Sequence, residues 1–214
     1  YPGFGIELPL GYSLHGIDVS FYQQHIYWPS VKKMKEKDVA LKFVFIKATE
    51  GLYNADRYFK RNWEQAKSLS LTRGAYHFFL ATKDGTMQAK NFLKKVQLKP
   101  GDLPPVLDIE ELYGVAPDVM RRRVKDWLKY TEKYCGVKPI IYSNAFFYEH
   151  YLGKEFSGYP LWVAHYFEKK KPGVTREWTF WQHNDAGKVN GIAAKVDFNV
   201  YNGDSVSFQK MLIQ

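Results

Sequence analysis

Eight short runs rich in β-branched and aromatic residues recur along this chain, and helical patterns fill most of the gaps between them. The runs are HGIDVS (15–20), FVFIKATE (43–50), RGAYHFFL (73–80), PPVLDIE (104–110), KPIIYS (138–143), PLWVAHY (160–166), EWTFWQH (177–183) and KVDFNVY (195–201). Each is bordered by turn residues, as strands are. Strands alternating with helices imply a parallel sheet with helices outside it. Eight of them imply closure into a barrel, and 214 residues fall at the short end for that architecture, roughly 200 upward.

The helical patterns differ in strength. The clearest spans 117–134, with Pro117 in the first turn, Met120, Val124, Trp127, Leu128 and Thr131 on one face, and Gly136 where a helix stop belongs. Further helices are predicted over 58–69 and 84–96, with weaker ones over 30–37 and 145–152. The last third breaks the rhythm. Its two gaps hold ten and eleven residues of loop-like composition, while a crossover with its helix needs at least about 10–12. The expected fold is therefore α/β: an irregular TIM-like barrel of five β/α units followed by three strands that lack full helices. Residues 1–14 are expected to form an N-terminal extension and 15–214 a single barrel domain.

Composition narrows the function classes. Lys and Arg number 31 against 22 Asp and Glu, a net charge of +9 that favours a polyanionic partner without choosing among nucleic acid, anionic membrane and wall polymer. A nucleic-acid binder needs basic and aromatic residues interleaved on one surface; here Lys and Arg are scattered along the sequence, so nucleic acid is not expected as a partner. The lone Cys135 excludes an internal disulfide and reads as a small buried hydrophobe. No apolar run of about 18 residues is present, so no membrane span is expected. No signal-peptide pattern is visible, and a start at Tyr1 suits a processed or trimmed N-terminus. The six histidines show no ligand spacing, so neither a metal nor a cofactor is expected.

The chemistry points to the carboxylates. PPVLDIEEL (104–112) ends an apolar strand in acids, and residues two apart on a strand share a face. Asp108 and Glu110 should therefore point together at the end of the fourth strand. Asp18 lies near the end of the first, and Asp197 lies in the last. In a closed barrel the first and eighth strands are neighbours and the fourth lies across the mouth, where such folds carry their sites. Acids at strand ends also cap helices or hold structural cations. As a crowded set, however, they raise one another's pKa values, which gives the protonated acid and ionised partner that glycosidic cleavage requires.

The ordered set GIDVS (16–20), FIKATEG (45–51), GAYHF (74–78), LDIE (107–110), IIYS (140–143), LWVAHY (161–166), WQH (181–183) and VDFN (196–199) resembles glycoside hydrolase family 25, the lysozyme-type N-acetylmuramidases. The resemblance implies an irregular barrel of the kind just described, and an enzyme that cleaves the β-1,4 bond between N-acetylmuramic acid and N-acetylglucosamine in bacterial peptidoglycan. It implies Glu110 as the catalytic acid and Asp108 as its companion, which either stabilises the reacting centre or orients the substrate's acetamido group. Asp18 and Asp197 match the two further acids of the pocket. Tyr76, Tyr142 and Trp162 match positions near the family's cleft, and Trp181 is taken with them as substrate-binding. His165 stands where the family often has Gln, and WQHN replaces more aromatic versions. Taken with the resemblance, the chain is expected to act as a monomer on peptidoglycan, secreted or in the periplasm and cell envelope.

The four aromatics fit a sugar-stacking groove and a plain barrel core equally well. Lys47 either offsets the acid cluster or faces solvent. The rival reading is a wall- or carbohydrate-binding module without turnover on the same scaffold; retention of all four acids speaks against it.

Overall fold

The chain folds as a closed eight-stranded barrel flanked by helices. The computed structural model describes residues 1–166 and 168–214. The barrel strands are β1 (His15–Val19), β2 (Val39–Glu50), β3 (Thr72–Phe78), β4 (Val106–Asp108), β5 (Ile140–Asn144), β6 (Leu161–Ala164), β7 (Phe180–Gly187) and β8 (Val196–Tyr201). Neighbours pair in parallel from β1 through β7, and β8 closes the ring antiparallel to both β7 and β1. Lys35–Glu36 and Asn54–Ala55 add short hairpin pairings to β2.

The helices are α1 (Trp28–Lys33), α2 (Phe59–Ser68), α3 (Gly85–Lys95), α4 (Pro117–Cys135), α5 (Ala145–Phe147) and α6 (Ser205–Met211). Local chemistry fixes several ends. The Asp84 carboxylate accepts from the Met87 N–H at 2.7 Å and starts α3. Pro117 opens α4, and Gly136 ends it in the left-handed region at φ 72°. The weaker predicted helices shrink. Residues 30–37 are helical only to Lys33, because 35–36 turn back to pair with 39–40. After α5 the chain continues as a π turn (Tyr148–Leu152) and a 3₁₀ turn (Gly153–Phe156). The C-terminal α6, which the sequence reading lacked, plugs the barrel end opposite the mouth. Its Phe208 and the following Leu212 join the interior cluster, and Ile213 exchanges backbone hydrogen bonds with Gly101 and Asp102.

Side chains divide by strand parity. One set fills the barrel: Phe43, Phe45, Val106, Ile140, Trp162 and Phe180 are all at most 2% exposed. Phe45 stacks on Trp162 at 4.2 Å between ring centroids, and Phe43 meets Phe180 edge-on at 5.2 Å. Gly16 and Gly74 make room for these rings, since a Cβ there would lie 2.4 Å from the Phe43 ring and 2.5 Å from that of Phe45. The other parity faces the helices in a larger core. Around β7 and β8, where full helices are missing, residues 1–14 supply cover. Phe4 meets Phe198 at 5.1 Å, and Tyr12 packs against Trp178 and Trp181.

Candidate active site

The seven parallel strands all end at one mouth. Asp18 of β1 and Asp108 of β4 are 6% exposed there, with Glu110 just beyond β4. β4 stops at Asp108, two residues short of the expected end, yet Glu110 keeps its place. Ile109 holds the chain extended: its N–H donates to the Tyr142 carbonyl at 3.0 Å, and its carbonyl accepts from Ser143 Oγ at 2.7 Å. Asp197 arrives by a different route from the one expected. It lies near the start of β8 rather than the end of a parallel strand. The antiparallel course of β8 brings that start to the mouth and sets Asp197 directly opposite Asp18. All four acids therefore line one cavity of about 380 Å³, together with Tyr76, Tyr142, Trp162, Lys47, Gln182 and Tyr166.

Trp181 does not join them. Parity along β7 sends Phe180 into the barrel and Gln182 into the cavity, so Trp181 points outward. It is fully buried under Tyr12 and Trp178, with its indole N–H donating to the His165 carbonyl at 2.8 Å. Trp162 forms the cavity floor, 2% exposed, and donates from Nε1 to Asn199 Oδ1 at 2.7 Å. Tyr142 meets Trp162 edge-on at 4.5 Å, and Tyr76 is 9% exposed. Lys47 takes the inward reading: it is 9% exposed and donates to Glu50 Oε2 at 2.6 Å. Strict alternation along β2 would put Thr49 on the same face as Lys47. A register shift after Lys47 turns it instead toward His77 of β3, at 2.8 Å.

Asp18 anchors a relay that motif reading missed. Its Oδ2 accepts from Gln182 Nε2 and from Asn199 Nδ2, both at 2.8 Å. Tyr142 and Tyr166 donate to Gln182 Oε1 at 2.8 and 2.7 Å, which orients the amide. A step of two from Phe180, and of two back from Tyr201, would have singled out Gln182 and Asn199. A second cleft of about 610 Å³ shares Glu110 and Tyr166 with the cavity. It is lined by Phe146, 63% exposed and stacked on His150 at 4.0 Å. Tyr22, 70% exposed, also borders the cavity. His165 lines the second cleft and accepts from the Gly173 N–H at 2.9 Å.

Burial dominates the electrostatics. It pushes the Asp108 carboxyl well above the ordinary range; Glu110 and Asp18 push it further, and Lys47 opposes them. Asp18 is likewise raised well above its usual value, by burial first and then by Asp197. Asp197 is pushed up to about 6, by burial and then by Asp185. Glu110 is raised by burial, against the Asp108 hydrogen bond and Lys47. The two carboxyls interact directly, so their titrations are linked. Asp108 Oδ1 is buried with no hydrogen-bond partner among the described residues, which an ionised carboxylate would tolerate poorly. Among the described residues, no group of three or more His, Cys, Asp or Glu is arranged to hold a metal ion. Nor is any helix among them long and apolar enough to cross a membrane.

The family profile of the glycosyl hydrolases family 25 matches residues 17–192. The uncharacterised protein YegX of Escherichia coli K12 is 48% identical over 200 residues, covering 94% of this chain and 74% of its own length. Lysozyme M1 of Streptomyces globisporus is 34% identical over 90% of this chain and 69% of its own. A family 25 glycosyl hydrolase from Bacillus anthracis has the same fold at a TM-score of 0.87 and 32% identity, with 95% of each chain covered. A lysozyme from Streptomyces coelicolor gives 0.83 and 32%, covering 93% of this chain and 96% of its own. With its barrel, its ring of acids and these relatives, the chain belongs to glycosyl hydrolases family 25.

Proposed function

We propose that the mouth hydrolyses the β-1,4 bond between N-acetylmuramic acid and N-acetylglucosamine in bacterial peptidoglycan, with Glu110 as general acid. The observation that carries this reading is the convergence of four carboxyl groups, all with raised pKa values, on one polar cavity. The names of relatives support it: a lysozyme of Streptomyces globisporus, an autolytic lysozyme of Clostridium acetobutylicum and an N,O-diacetylmuramidase of Chalaropsis. The substrate places the protein outside the cytoplasm, secreted or in the cell envelope, and one mouth with all its acids on one chain suits a monomer.

In this reading, Glu110 delivers its proton to the glycosidic oxygen as the C–O bond breaks, and the leaving sugar departs with a new hydroxyl. Water then adds at the anomeric carbon and returns a proton to Glu110. Direct attack by water needs a second carboxylate roughly 6.5–9.5 Å from the acid. Asp108 is hydrogen-bonded to Glu110 instead. That contact favours Asp108 as the group that orients the substrate's acetamido group and faces the developing positive charge. Glu110 works only while protonated, so the rate should fall as pH rises through its raised pKa.

The experiment is a digest of purified peptidoglycan followed by identification of the new reducing ends. Reducing N-acetylmuramic acid supports the proposal. Reducing N-acetylglucosamine would move the cut to the other bond. Binding without any new ends would favour a wall-binding module.

A further inference from the structure

The flank of the barrel between α2 and α3 carries a feature that the mouth does not use. α3 packs closely against α4 but hardly touches α2, and a groove of about 650 Å³ opens between them. It runs from Asp56 and Arg57, beside the mouth, to Lys99 at the opposite end of the barrel. The ten residues of α2 set its length at roughly 15 Å.

The floor of the groove is internally complete. Arg73 donates to both Asp102 oxygens, at 2.8 and 3.1 Å, and to the Trp63 carbonyl at 2.6 Å. Its guanidinium lies 3.8 Å from the centre of the Trp63 ring. The walls are different. Arg57, Lys60, Lys67, Lys94, Lys95 and Lys99 are exposed along it, and none forms an ion pair among the described residues. Only two carboxylates share the lining, Asp56 and Glu64. Asp56 is already committed to the backbone N–H groups of Phe21 and Tyr58. Lys67, Lys94 and Lys95 lie in last helical turns, where they offset the helix dipoles. That accounts for three of the six cations; Arg57 lies 5.2 Å from the centre of the Tyr58 ring, which leaves Lys60 and Lys99 without such a role.

We propose that this groove is a docking site for a linear phosphate polymer without bases, of the polyol-phosphate kind. A groove between two helices suits a chain rather than a membrane plane. Its positive charge selects an anion. Lysines predominate, and an ammonium is a point charge that can meet the phosphates of a chain from any direction. Single-stranded nucleic acid would want aromatic faces on which to stack its bases. Phe59 and Trp63 are only 6% and 8% exposed, and the Trp63 face is covered by Arg73. This site is independent of the hydrolysis proposed above.

The test is binding of a synthetic glycerol-phosphate oligomer, measured by fluorescence anisotropy across a range of salt. The comparison is a variant carrying Lys60→Gln, Lys67→Gln, Lys94→Gln and Lys95→Gln, all at exposed positions, with its fold checked by thermal melting. The wild type should bind with strong salt dependence. The variant should lose at least about tenfold, and its slope of log affinity against log salt should fall by about three, at ~0.7 per phosphate contact. Glu110→Gln should bind as the wild type does, which separates this site from the mouth. Equal affinity of wild type and quadruple variant, or no binding even at low salt, would overturn the proposal. Equal binding of polyglutamate would show that charge alone is read, and tighter binding of oligothymidylate would make this a nucleic-acid surface; either also overturns it.

Discussion

Two layers of the same barrel, two residues apart along each strand, are built on opposite principles. Six of the seven parallel strands cross from one to the other in a move of two positions: Gly16 to Asp18, Phe45 to Lys47, Gly74 to Tyr76, Val106 to Asp108, Ile140 to Tyr142, Phe180 to Gln182. The lower layer is apolar, filled and dry, with aromatic rings in edge and stacked contacts. The upper layer crowds four carboxyls whose pKa values burial raises, and leaves Asp108 Oδ1 buried without a hydrogen-bond partner among the described residues. The lower layer stabilises the fold, while the upper one strains it to hold protons where chemistry needs them. The antiparallel β8 follows the same logic in reverse, running from Asp197 at the mouth through Asn199 to Tyr201 below.

Substitutions can break this contrast. The largest effect is expected from Glu110→Gln, which should lower turnover on peptidoglycan by about 10²–10⁴-fold without lowering the melting temperature. A folded variant within a few fold of the wild type would remove Glu110 from the acid role. In the lower layer Phe180→Ala should do the converse. Its stability should fall by about 3–5 kcal/mol in denaturant titrations, while the rate per folded molecule stays near that of the wild type.

A third substitution sharpens the comparison by making the mouth more stable. The folded pKa of Asp197 is about 6 against an ordinary value of 3.8, so the folded state prefers it protonated. That preference favours folding below the unfolded value and is lost as pH rises through about 6, beyond which the buried charge destabilises. Asp197→Asn should therefore gain about 1–3 kcal/mol at pH 7, with the gain shrinking toward pH 4. Melting curves at the two pH values decide it; an equal effect at both would mean that charge is not the cause. The smallest effect is expected at the rim. Phe146→Ala should raise KM by up to about tenfold with kcat nearly unchanged, if its exposed ring stacks on the glycan. A fall in kcat alone would place it elsewhere in the cycle.

The sequence carried the barrel because period-two runs separated by amphipathic helices leave few other folds open. It carried the acid cluster because Asp108 and Glu110 sit two apart where an apolar strand ends. It did not carry the direction of β8, since alternation reads the same forwards and backwards and only the short connections show which way the chain returns. Trp181 was misplaced because an aromatic residue among polar ones looks like a binding residue. Counting in twos from Phe180 assigns it to the outer face, under Tyr12. Counting in twos would have turned Gln182 and Asn199 toward the mouth, but their bonds to Asp18 were not legible, because amides have no motif of their own and acquire a role only once the strands close. Thr49 left its expected face because a bulge breaks the count, and nothing in FIKATEG announces one.

The proposed chemistry depends on the mouth holding protons that exposed carboxyls would release. Site-resolved carbon-13 NMR titration of the carboxyl groups tests that directly. Asp18, Asp108, Glu110 and Asp197 should all titrate above the ordinary carboxylate range, with Asp197 near 6 and Asp108 and Glu110 moving together as one coupled pair. Glu110→Gln should uncouple that pair and simplify the curve of Asp108. If the four acids instead titrate independently near 4, like exposed carboxylates, the mouth holds no proton in reserve and the acid role of Glu110 fails with it.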